Sequence, residues 1–432
     1  MIMYTSGTSA SPKGVTVQQK QIMLLSYAYV HILKLGRERF IAYLPLAHIF
    51  EICVEMAVLM EFGTIGYGAV RTLTSGFCHQ CESDLIALQP TAMIGVPTVF
   101  NRVRKGILEN ISKSTPFSKF MFNLGFWLKE KLYTEKELRT PYLFKPLIWL
   151  LNNIVFKRVG KTLLGDRMRN VVVGGSALPV ELQNFLVTVL PNINVIQGFG
   201  MTELCGAACA MPPGDSTYSS IGVLFPMYEV KLRDVAELGY LTTDNPPRGE
   251  LMFRGYPVTK GYFNRPEENK NAFTEDGWIC TGDIATIKED LHICIIDRKK
   301  NIVKQPCGEY ISLEFIESKY HSNKLVENVC AFADSFHDFV VGLIVPNKHV
   351  IRELSDLPFE EAIENEEVLK KVKEMLKEND ALLSERQKIK HFKLVPDEWT
   401  AENELLTAAL KLKRPVIFKK YLTDIQRMFS MG

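Results

Sequence analysis

The sequence predicts an α/β protein with a large first domain and a smaller α+β domain at its C-terminal end. Four short apolar runs, each broken by Gly or Pro, indicate buried strands at 41–47, 92–97, 170–177 and 194–200. Longer helix-like stretches lie between them, including 17–35 and 178–190. Strands that alternate with helices in this way predict a mostly parallel sheet covered by helices.

The sequence pattern changes after the last of these runs. Residues 221–297 contain short or alternating strands with turns at "DNPPRG" and "EDGW", which predicts a compact β subdomain. Beyond "DRKK" two further strand-like runs precede a charged stretch, 359–391, that we expect to be helical. The expected division is therefore 1–297 for the large domain and 298–432 for the small one.

Composition excludes some classes of protein. The chain is 47% hydrophobic and 23% charged with a formal net charge of +2, which is typical of a globular protein and argues against a general nucleic-acid binder. The charge is uneven, because residues 101–170 carry fifteen Lys/Arg against five Asp/Glu. No uncharged apolar run is long enough to predict a transmembrane helix, and the final residues "RMFSMG" are not a peroxisomal signal.

A loop rich in Ser, Thr and Gly, "YTSGTSASPKG" (4–14), follows the first apolar run. Glycines let successive backbone amides point at one anion, while hydroxyls and a lysine add donors and charge. This chemistry suits a phosphate, although the Walker spacing is absent. A turn of this composition is more often a plain loop, so its meaning depends on the motifs around it.

Five motifs in order resemble those of the AMP-forming acyl–adenylate synthetases. They are the loop above (family pattern YTSGTTGxPKG), "LPLAHIFE" (44–51), "GGSALP" (174–179), "QGFGMTE" (197–203) and "RGELMFRGYPVTKGYFNRPEE" (248–268). The stretch "DGWICTGDIATIKEDLHICIIDRKK" (276–300) resembles the signature of fatty acyl-CoA synthetases. "TLTS" (72–75), "RKGIL" (104–108) and "GEYISLEFIES" (308–318) are similar to fungal-type long-chain members.

The resemblance implies a fold, a reaction and a set of substrates. The fold is a large adenylate-forming domain and a small mobile C-terminal lid that pivots near 299–300. The reaction uses ATP and Mg²⁺ to convert a long-chain fatty acid to acyl-AMP and pyrophosphate, after which CoA displaces AMP to give acyl-CoA. Two alternatives stay open: a ligase for a shorter or aryl acid, and a non-catalytic relative that binds nucleotide or acyl groups.

The resemblance also assigns site residues. The β- and γ-phosphates are expected at Thr5, Ser6, Gly7, Thr8 and Lys13. Adenine is expected at Gly175, Ser176, Ala177 and Phe199, and ribose at Asp283 with Arg298 nearby. The catalytic positions are His48 near the acyl group, Thr202 at the α-phosphate, Glu203 as the Mg²⁺ ligand and Lys411 in "NELLTAALKLKR" (403–414).

Each assignment has a plainer structural alternative. Taken alone, Phe199 and His48 read as core residues and Glu203 as a carboxylate at a helix start. Asp283 alone is a turn residue, and Lys411 alone belongs to a solvated basic tail. Because the motifs occur together and in the order of the family, we favour the functional assignment in each case.

The chain departs from the family pattern at several positions. Ala10 and Glu404 stand where glycine is usual, and Leu291 replaces a usual turn glycine. Family members also carry a few hundred residues before the phosphate loop, so the resemblance implies a chain truncated at its N-terminal side, either a fragment or a shortened lineage.

Aromatic and Leu-rich stretches with interspersed lysines occupy 101–170. The plainer interpretation is a set of helices that cover the sheet. The alternative is a peripheral contact with an anionic membrane, where fatty acids partition. We accordingly expect an intracellular protein at the cytoplasmic face of the endoplasmic reticulum or another membrane.

Overall fold

A computed structural model of the chain describes residues 1–5, 12–74, 78, 80–133, 144–215, 217–381, 383–407 and 410–431. Its strands are β1 Ile2–Thr5, β2 Lys13–Thr16, β3 Arg39–Ala42, β4 Thr64–Tyr67, β5 Ala92–Gly95, β6 Asn170–Val173, β7 Asn194–Met201, β8 Gly206–Ala210, β9 Val223–Leu224, β10 Tyr228–Arg233, β11 Arg248–Gly255, β12 Ile279–Ile287, β13 Ile293–Arg298, β14 Ile302–Lys304, β15 Tyr310–Ser312, β16 Val326–Phe332, β17 Val340–Pro346 and β18 Ile389–Leu394.

Helices cover these strands on both sides. They are α1 Gln19–Ile32, α2 Ile49–Met60, α3 Asp84–Leu88, α4 Pro97–Ser112, α5 Pro116–Tyr133, α6 Lys145–Leu151, α7 Lys157–Leu164, α8 Val180–Val189, α9 Pro266–Ala272, α10 Leu313–His321, α11 Lys348–Leu354, α12 Phe359–Ala362, α13 Glu366–Asp380, α14 Arg414–Lys420 and α15 Leu422–Ser430. A π-helical turn, Asn152–Phe156, joins α6 to α7. None of the helices in the described ranges is long and apolar enough to cross a bilayer.

A seven-stranded sheet in the order β4-β3-β5-β6-β7-β8-β9 forms the centre of the molecule. Its first five strands run parallel, and β8 and β9 add to the edge in antiparallel fashion. All residues of β5 and β6 are buried, as expected for central strands of a covered parallel sheet. The four apolar runs thus become β3, β5, β6 and β7, and the predicted α/β fold class is confirmed.

The parallel strands bring the predicted motifs to one edge of this sheet. The carboxyl ends of parallel strands meet at a common edge, which is where such sheets bind ligands. "GGSALP" follows β6, "QGFGMTE" runs through the end of β7, and the turn that carries His48 follows β3.

Strands β1 and β2 form a separate antiparallel hairpin that packs on the β subdomain. The N–H of Phe263 donates to the carbonyl of Gly14 (2.7 Å), and the N–H of Thr16 donates to the carbonyl of Gly261 (3.2 Å). Three of the predicted phosphate-loop residues, Ser6, Gly7 and Thr8, lie outside the described residues. Thr5 and Lys13 form the last pair of the hairpin, at its loop end.

The predicted β subdomain contains a four-stranded antiparallel sheet, β10-β11-β12-β13. Strand β9 lies within the same expected range but pairs with β8, so this sheet begins at Tyr228. A 3₁₀ turn, Lys299–Asn301, follows β13 and leads to the two-stranded sheet β14-β15. The domain boundary and the hinge near 299–300 stay predictions.

The C-terminal part has its own core, around the three-stranded sheet β16-β17-β18 and its helices. The expectation that 359–391 is helical is wrong at its end. Helix α13 stops at Asp380, and β18 begins at Ile389 and pairs in parallel with β17. Pairing with the fully buried β17 satisfies the backbone of "IKHFKL" and overrides its charged, helix-like composition.

Candidate active site

Lys411 lies on a tight turn near the end of the chain. The N–H of Thr407 donates to the carbonyl of Lys411 (2.8 Å), and the N–H of Lys411 donates to Oγ1 of Thr407 (3.1 Å). On either side of the turn Leu406 forms an antiparallel bridge with Leu412. These bonds fix the backbone from which the lysine side chain projects.

Arg414, three residues later, holds this turn on the C-terminal core. Its guanidinium donates to both carboxylate oxygens of Glu317, at 2.7 and 3.0 Å, and to the carbonyl of Ala331 at 2.5 Å. The N–H of Ala331 also donates to Glu317 (2.7 Å). A bidentate Arg–carboxylate pair is geometrically restrictive, so it orients the segment that carries Lys411.

The Lys411 side chain reaches the "GGSALP" turn. Gly175 has a φ of +85°, a conformation that glycine adopts without strain. A Cβ placed there would lie 3.3 Å from Cγ1 of Val96 and 3.8 Å from Cε of Lys411. The lysine therefore packs over bare backbone, and Ser176 and Ala177 beside it are exposed to solvent.

Opposing charges surround the ammonium of Lys411. Burial, and to a smaller extent the cation of Arg298, lower its pKa to about 8, while the anions Glu314, Asp283 and Glu203 oppose the shift. The side chain is therefore still mainly protonated at pH 7, but it is poised to respond to a nearby anion. Three predicted site residues, Arg298, Asp283 and Glu203, therefore act on the charge of Lys411.

His48 lies at the N-cap of α2 and within electrostatic reach of the same lysine. Burial and then the charge of Lys411 lower the pKa of His48 to about 4, so the imidazole is neutral at pH 7. Its Nδ1 accepts a hydrogen bond from the N–H of Phe50 at 3.3 Å. In the neutral ring this leaves the proton on Nε2, which makes that atom a donor.

Asp283 and Arg298 are directly opposite each other on β12 and β13. Nε of Arg298 lies 3.3 Å from Oδ1 of the buried Asp283. Burial raises the pKa of Asp283 to about 6, against the lowering effect of Arg298. The Thr281 hydroxyl accepts from the N–H of Asp283 (3.0 Å) and donates to the carbonyl of Leu251 (2.8 Å), which fixes this part of β12 against β11.

Glu203 is linked to the phosphate-loop lysine through Tyr262. The Tyr262 hydroxyl donates to Oε1 of the buried Glu203 at 2.7 Å. Nζ of Lys13 lies 4.9 Å from the centre of the Tyr262 ring. Glu203 therefore contacts the hydroxyl of Tyr262 while Lys13 lies over its ring, so this side chain connects the hairpin to the large sheet.

The surroundings of Glu203 fit a magnesium ion that arrives with a nucleotide. Among the described residues no group of three or more His, Cys, Asp or Glu is arranged to hold a metal. Mg²⁺ prefers carboxylate oxygen and usually keeps waters and substrate phosphates as its other ligands. A single oriented carboxylate suits that chemistry better than it suits a metal held entirely by protein.

Phe199 and Thr202 lie on either side of a close approach between β7 and β8. The half-buried ring of Phe199 stacks on Phe253, with the centroids 5.9 Å apart. A Cβ at Gly200 would come within 2.1 Å of the carbonyl oxygen of Gly206, so only glycine fits. Thr202 opens the 3₁₀ turn that contains Glu203.

Contacts with α4 and α8 hold the C-terminal part against the rest of the chain. Nδ2 of Asn101 lies 2.8 Å from Nδ1 of His321 and donates to its carbonyl (3.1 Å). Nζ of Lys105 donates to the carbonyl of Val326 (2.7 Å), and Lys319 pairs with Glu181. These contacts keep Lys411 at the sheet edge.

Sequence reasoning did not single out Tyr262 or Glu314, although both fall within motifs already quoted. Tyr262 lies in the "GYFNRPEE" part of the fifth motif and Glu314 in "GEYISLEFIES". Their significance comes from contacts between distant segments, which spacing alone does not reveal.

The chain is similar to known proteins over its whole length. A family model described as AMP-binding enzyme matches residues 1–263. Long-chain-fatty-acid–CoA ligase 1 of Schizosaccharomyces pombe is 37% identical over 446 residues, covering 99% of this chain and 64% of the relative. Long-chain-fatty-acid–CoA ligase 4 of Saccharomyces cerevisiae is 37% identical over 445 residues, covering 99% and 61%. The chain thus spans less than two thirds of the length of these relatives.

Solved structures share the fold. The adenylation domain of a carboxylate reductase from Mycobacterium chelonae superposes with a TM-score of 0.79 at 25% identity, covering 99% of this chain and 60% of that one. The corresponding domain from Segniliparus rugosus, in complex with AMP and a co-purified carboxylic acid, gives a TM-score of 0.77 at 22% identity, covering 100% and 61%. With the family model matching more than half of its residues, the chain belongs to the AMP-binding enzymes.

Proposed function

We propose that the chain carries the catalytic machinery of a long-chain fatty acid–CoA ligase of the AMP-forming type. Support comes from its 37% identity to yeast long-chain-fatty-acid–CoA ligases across 99% of its residues. The observation that carries the proposal is the position of Lys411, over the backbone of Gly175 and within electrostatic reach of Glu203 and Asp283.

In the first half-reaction an oxygen of the fatty acid carboxylate attacks the α-phosphorus of ATP, and pyrophosphate leaves. Both reactants are anions, so the protein mainly positions them and offsets their charge. The Lys411 ammonium would bridge the carboxylate and the α-phosphate as negative charge builds between them. Nε2–H of neutral His48 and the hydroxyl of Thr202 would donate to the same oxygens.

The nucleotide would be held along the edge of the seven-stranded sheet. Adenine would lie against Phe199 and the backbone of the turn at Gly175, Ser176 and Ala177. The carboxylate of Asp283, oriented by Arg298, has two oxygens that suit the pair of ribose hydroxyls.

The triphosphate end would meet the hairpin and Glu203. Thr5, Ser6, Gly7, Thr8 and Lys13 would bind the β- and γ-phosphates. Glu203 would hold Mg²⁺, which supplies positive charge that stabilises the departing pyrophosphate. The hydroxyl of Tyr262 orients the Glu203 carboxylate for this role.

In the second half-reaction the thiol of CoA displaces AMP and forms acyl-CoA. We propose that the C-terminal domain, 298–432, rotates about Lys299 and Lys300 between the two half-reactions, as hinged domains do when they complete a site and exclude water. Contact with a membrane through residues 101–170, at the cytoplasmic face of an intracellular membrane, belongs to the same proposal.

Product analysis tests this function. The chain is incubated with ATP, Mg²⁺, CoA and a series of short, long and aryl acids, and acyl-CoA and AMP are measured by mass spectrometry. We expect both products with long-chain acids and little with short or aryl acids. A preference for an aryl acid would assign another ligase, and nucleotide binding without products would assign a non-catalytic relative.

A further inference from the structure

Helix α5 exposes a row of large apolar side chains. Phe117, Phe120, Leu124 and Trp127 follow the spacing i, i+3, i+7 and i+10, so they lie on one face of the helix. Phe117, Phe120 and Trp127 are 72%, 61% and 55% exposed. Such a row normally faces a core, and here it faces solvent.

The opposite face of α5 already packs against the protein. The Phe122 ring meets Phe156 edge-on at 5.7 Å, and a Cβ on Gly125 would lie 3.1 Å from the same ring. The buried Lys129 donates to Oδ1 of Asn152 at 3.0 Å. The exposed row is therefore not a core face that a small rotation of the helix would bury.

Helix α6 and the π-helical turn after it add a second exposed apolar face next to α5. Trp149 and Ile154 are 67% and 60% exposed, and Leu150 is also exposed. Leu151, on the inner side, is buried. We call Phe117, Phe120, Trp127, Trp149, Leu150 and Ile154 the aromatic face.

The aromatic face is large for an exposed apolar surface. A Phe or Trp side chain presents roughly 150–250 Å², so Phe117, Phe120 and Trp127 on the one face of α5 expose on the order of 350 Å². That is already within the range of the largest patch on a typical soluble monomer, about 300–600 Å², and such patches mark interaction sites. Trp149, Leu150 and Ile154 add exposed apolar area on the neighbouring helix and turn.

Positive charge accompanies the aromatic face. The surrounding segment, 101–170, has fifteen Lys/Arg against five Asp/Glu, and Lys131 and Lys157 are exposed on α5 and α7. Lysine stems can lie along apolar surface while the ammonium reaches outward to anionic groups. Amphipathic aromatic rings beside lysines suit the boundary between lipid headgroups and acyl chains.

We propose that the aromatic face inserts into the interfacial region of an anionic lipid bilayer, with α5 and α6 lying along the membrane surface. The inference rests on the proposed function and deepens it, because a long-chain fatty acid substrate partitions into such membranes. Vesicle binding itself requires no ligase activity, so either proposal can fail without the other.

The four tryptophans provide a direct measurement. Trp127 and Trp149 belong to the aromatic face, whereas Trp278 and Trp399 are buried. The full chain is mixed with vesicles of phosphatidylcholine and phosphatidylserine that carry brominated acyl chains, and tryptophan emission is recorded. We expect a blue shift and quenching, weaker with phosphatidylcholine alone and weaker at high salt.

Two variants and matched controls locate the contact. Phe120→Asp/Ile154→Asp and, separately, Lys131→Gln/Lys157→Gln should each weaken vesicle partition by roughly tenfold or more, since they remove insertion and charge attraction respectively. Phe336→Asp and Lys377→Gln, at exposed positions of the C-terminal part, should bind like the parent. Circular dichroism and thermal unfolding verify that each variant folds.

Three results would overturn the inference. One is a folded parent chain that does not bind acidic vesicles. Another is binding that the aromatic-face and lysine variants leave unchanged. The third is self-association that Phe120→Asp/Ile154→Asp abolishes while vesicle binding persists, which would make the face an interface between copies of the chain.

Discussion

The protonation state of Lys411 links its burial to a pH dependence. With a pKa of about 8, lowered first by burial and then by Arg298, the ammonium loses its proton as pH rises through 8. We therefore expect fatty-acid-dependent ATP–pyrophosphate exchange, at low substrate concentration, to fall about tenfold per pH unit above that value. Exchange omits CoA, so the CoA thiol does not contribute to the profile.

Lys411→Arg is the control for this profile. Arginine keeps its charge at every accessible pH, so the variant should be slower at neutral pH but lack the decline on the alkaline side. An unchanged alkaline decline in Lys411→Arg would assign the titration to a different group.

Tyr262 offers a test of how Glu203 is positioned. Tyr262→Phe removes the hydroxyl that donates to Oε1 of Glu203 but keeps the ring under Lys13. We expect the Mg²⁺ concentration that supports half-maximal exchange to rise roughly tenfold, because loss of a group that orients a metal ligand weakens metal binding.

Tyr256→Phe is a matched control for Tyr262→Phe. Its ring lies 4.9 Å from Nζ of Lys20, the same distance as in the Lys13–Tyr262 pair. Tyr256 belongs to the same motif, but its side chain is exposed and the bond to Glu203 comes from Tyr262. A Mg²⁺ dependence that stays the same in folded Tyr262→Phe would remove the positioning role.

Two turns hold a non-glycine residue in a backbone conformation that favours glycine. Leu291 in the β12–β13 turn has a φ of +66°, and Glu404 before the Lys411 turn has a φ of +61°. An L-residue in this region costs about 1–2 kcal/mol. Two of the three departures from the family pattern are therefore identifiable points of strain, and the third, Ala10, lies outside the described residues.

We predict that Leu291→Gly and Glu404→Gly each raise the free energy of unfolding by about 1 kcal/mol, after the greater entropy of glycine in the unfolded chain is subtracted. Denaturant unfolding measures the change. Glu289→Gly is the control, since Glu289 lies in the same turn without a positive φ. Equal effects of Glu289→Gly and Leu291→Gly would contradict the strain argument.

The elements that the sequence predicted well are those with one dominant physical signal. Runs such as "AMIG" and "NVVV" are apolar on both faces, which suits a covered parallel strand. Strand β18 was missed because its lysines and histidine continue the charged composition of the helical stretch before it, and its pairing with β17 depends on a segment distant in sequence. The sequence also identified the site motifs, but only the structure shows that Tyr262 links Lys13 to Glu203.

The candidate site is built from segments near both ends of the chain. Residues from the hairpin, the seven-stranded sheet, the β subdomain and the C-terminal part all converge on Lys411 or Glu203. The contacts of Asn101, Lys105 and Glu181 with the C-terminal part hold this arrangement. Under the proposed function this arrangement would serve adenylation, and the proposed rotation about Lys299 and Lys300 would give the thioester-forming step a different one.

A proline in the 3₁₀ turn after β13 tests that change of arrangement. Proline fixes φ near −65° and removes an N–H, so Lys300→Pro should restrict rotation about the turn. We expect acyl-CoA formation from preformed acyl-AMP to fall at least tenfold while exchange changes less. Lys300→Ala is the control for loss of the side chain, and equal losses in both half-reactions would count against a hinge here.

The most direct test of the central claim is ATP–pyrophosphate exchange by this chain, with acids of increasing length, for the parent, Lys411→Ala and Lys413→Ala. Removal of a charge that acts on the transition state typically costs about 10²–10³ in rate. We predict exchange that is greatest with long-chain acids, is lost in Lys411→Ala and persists in Lys413→Ala. No acid-dependent exchange by the folded parent, or equal exchange by Lys411→Ala, would contradict the account.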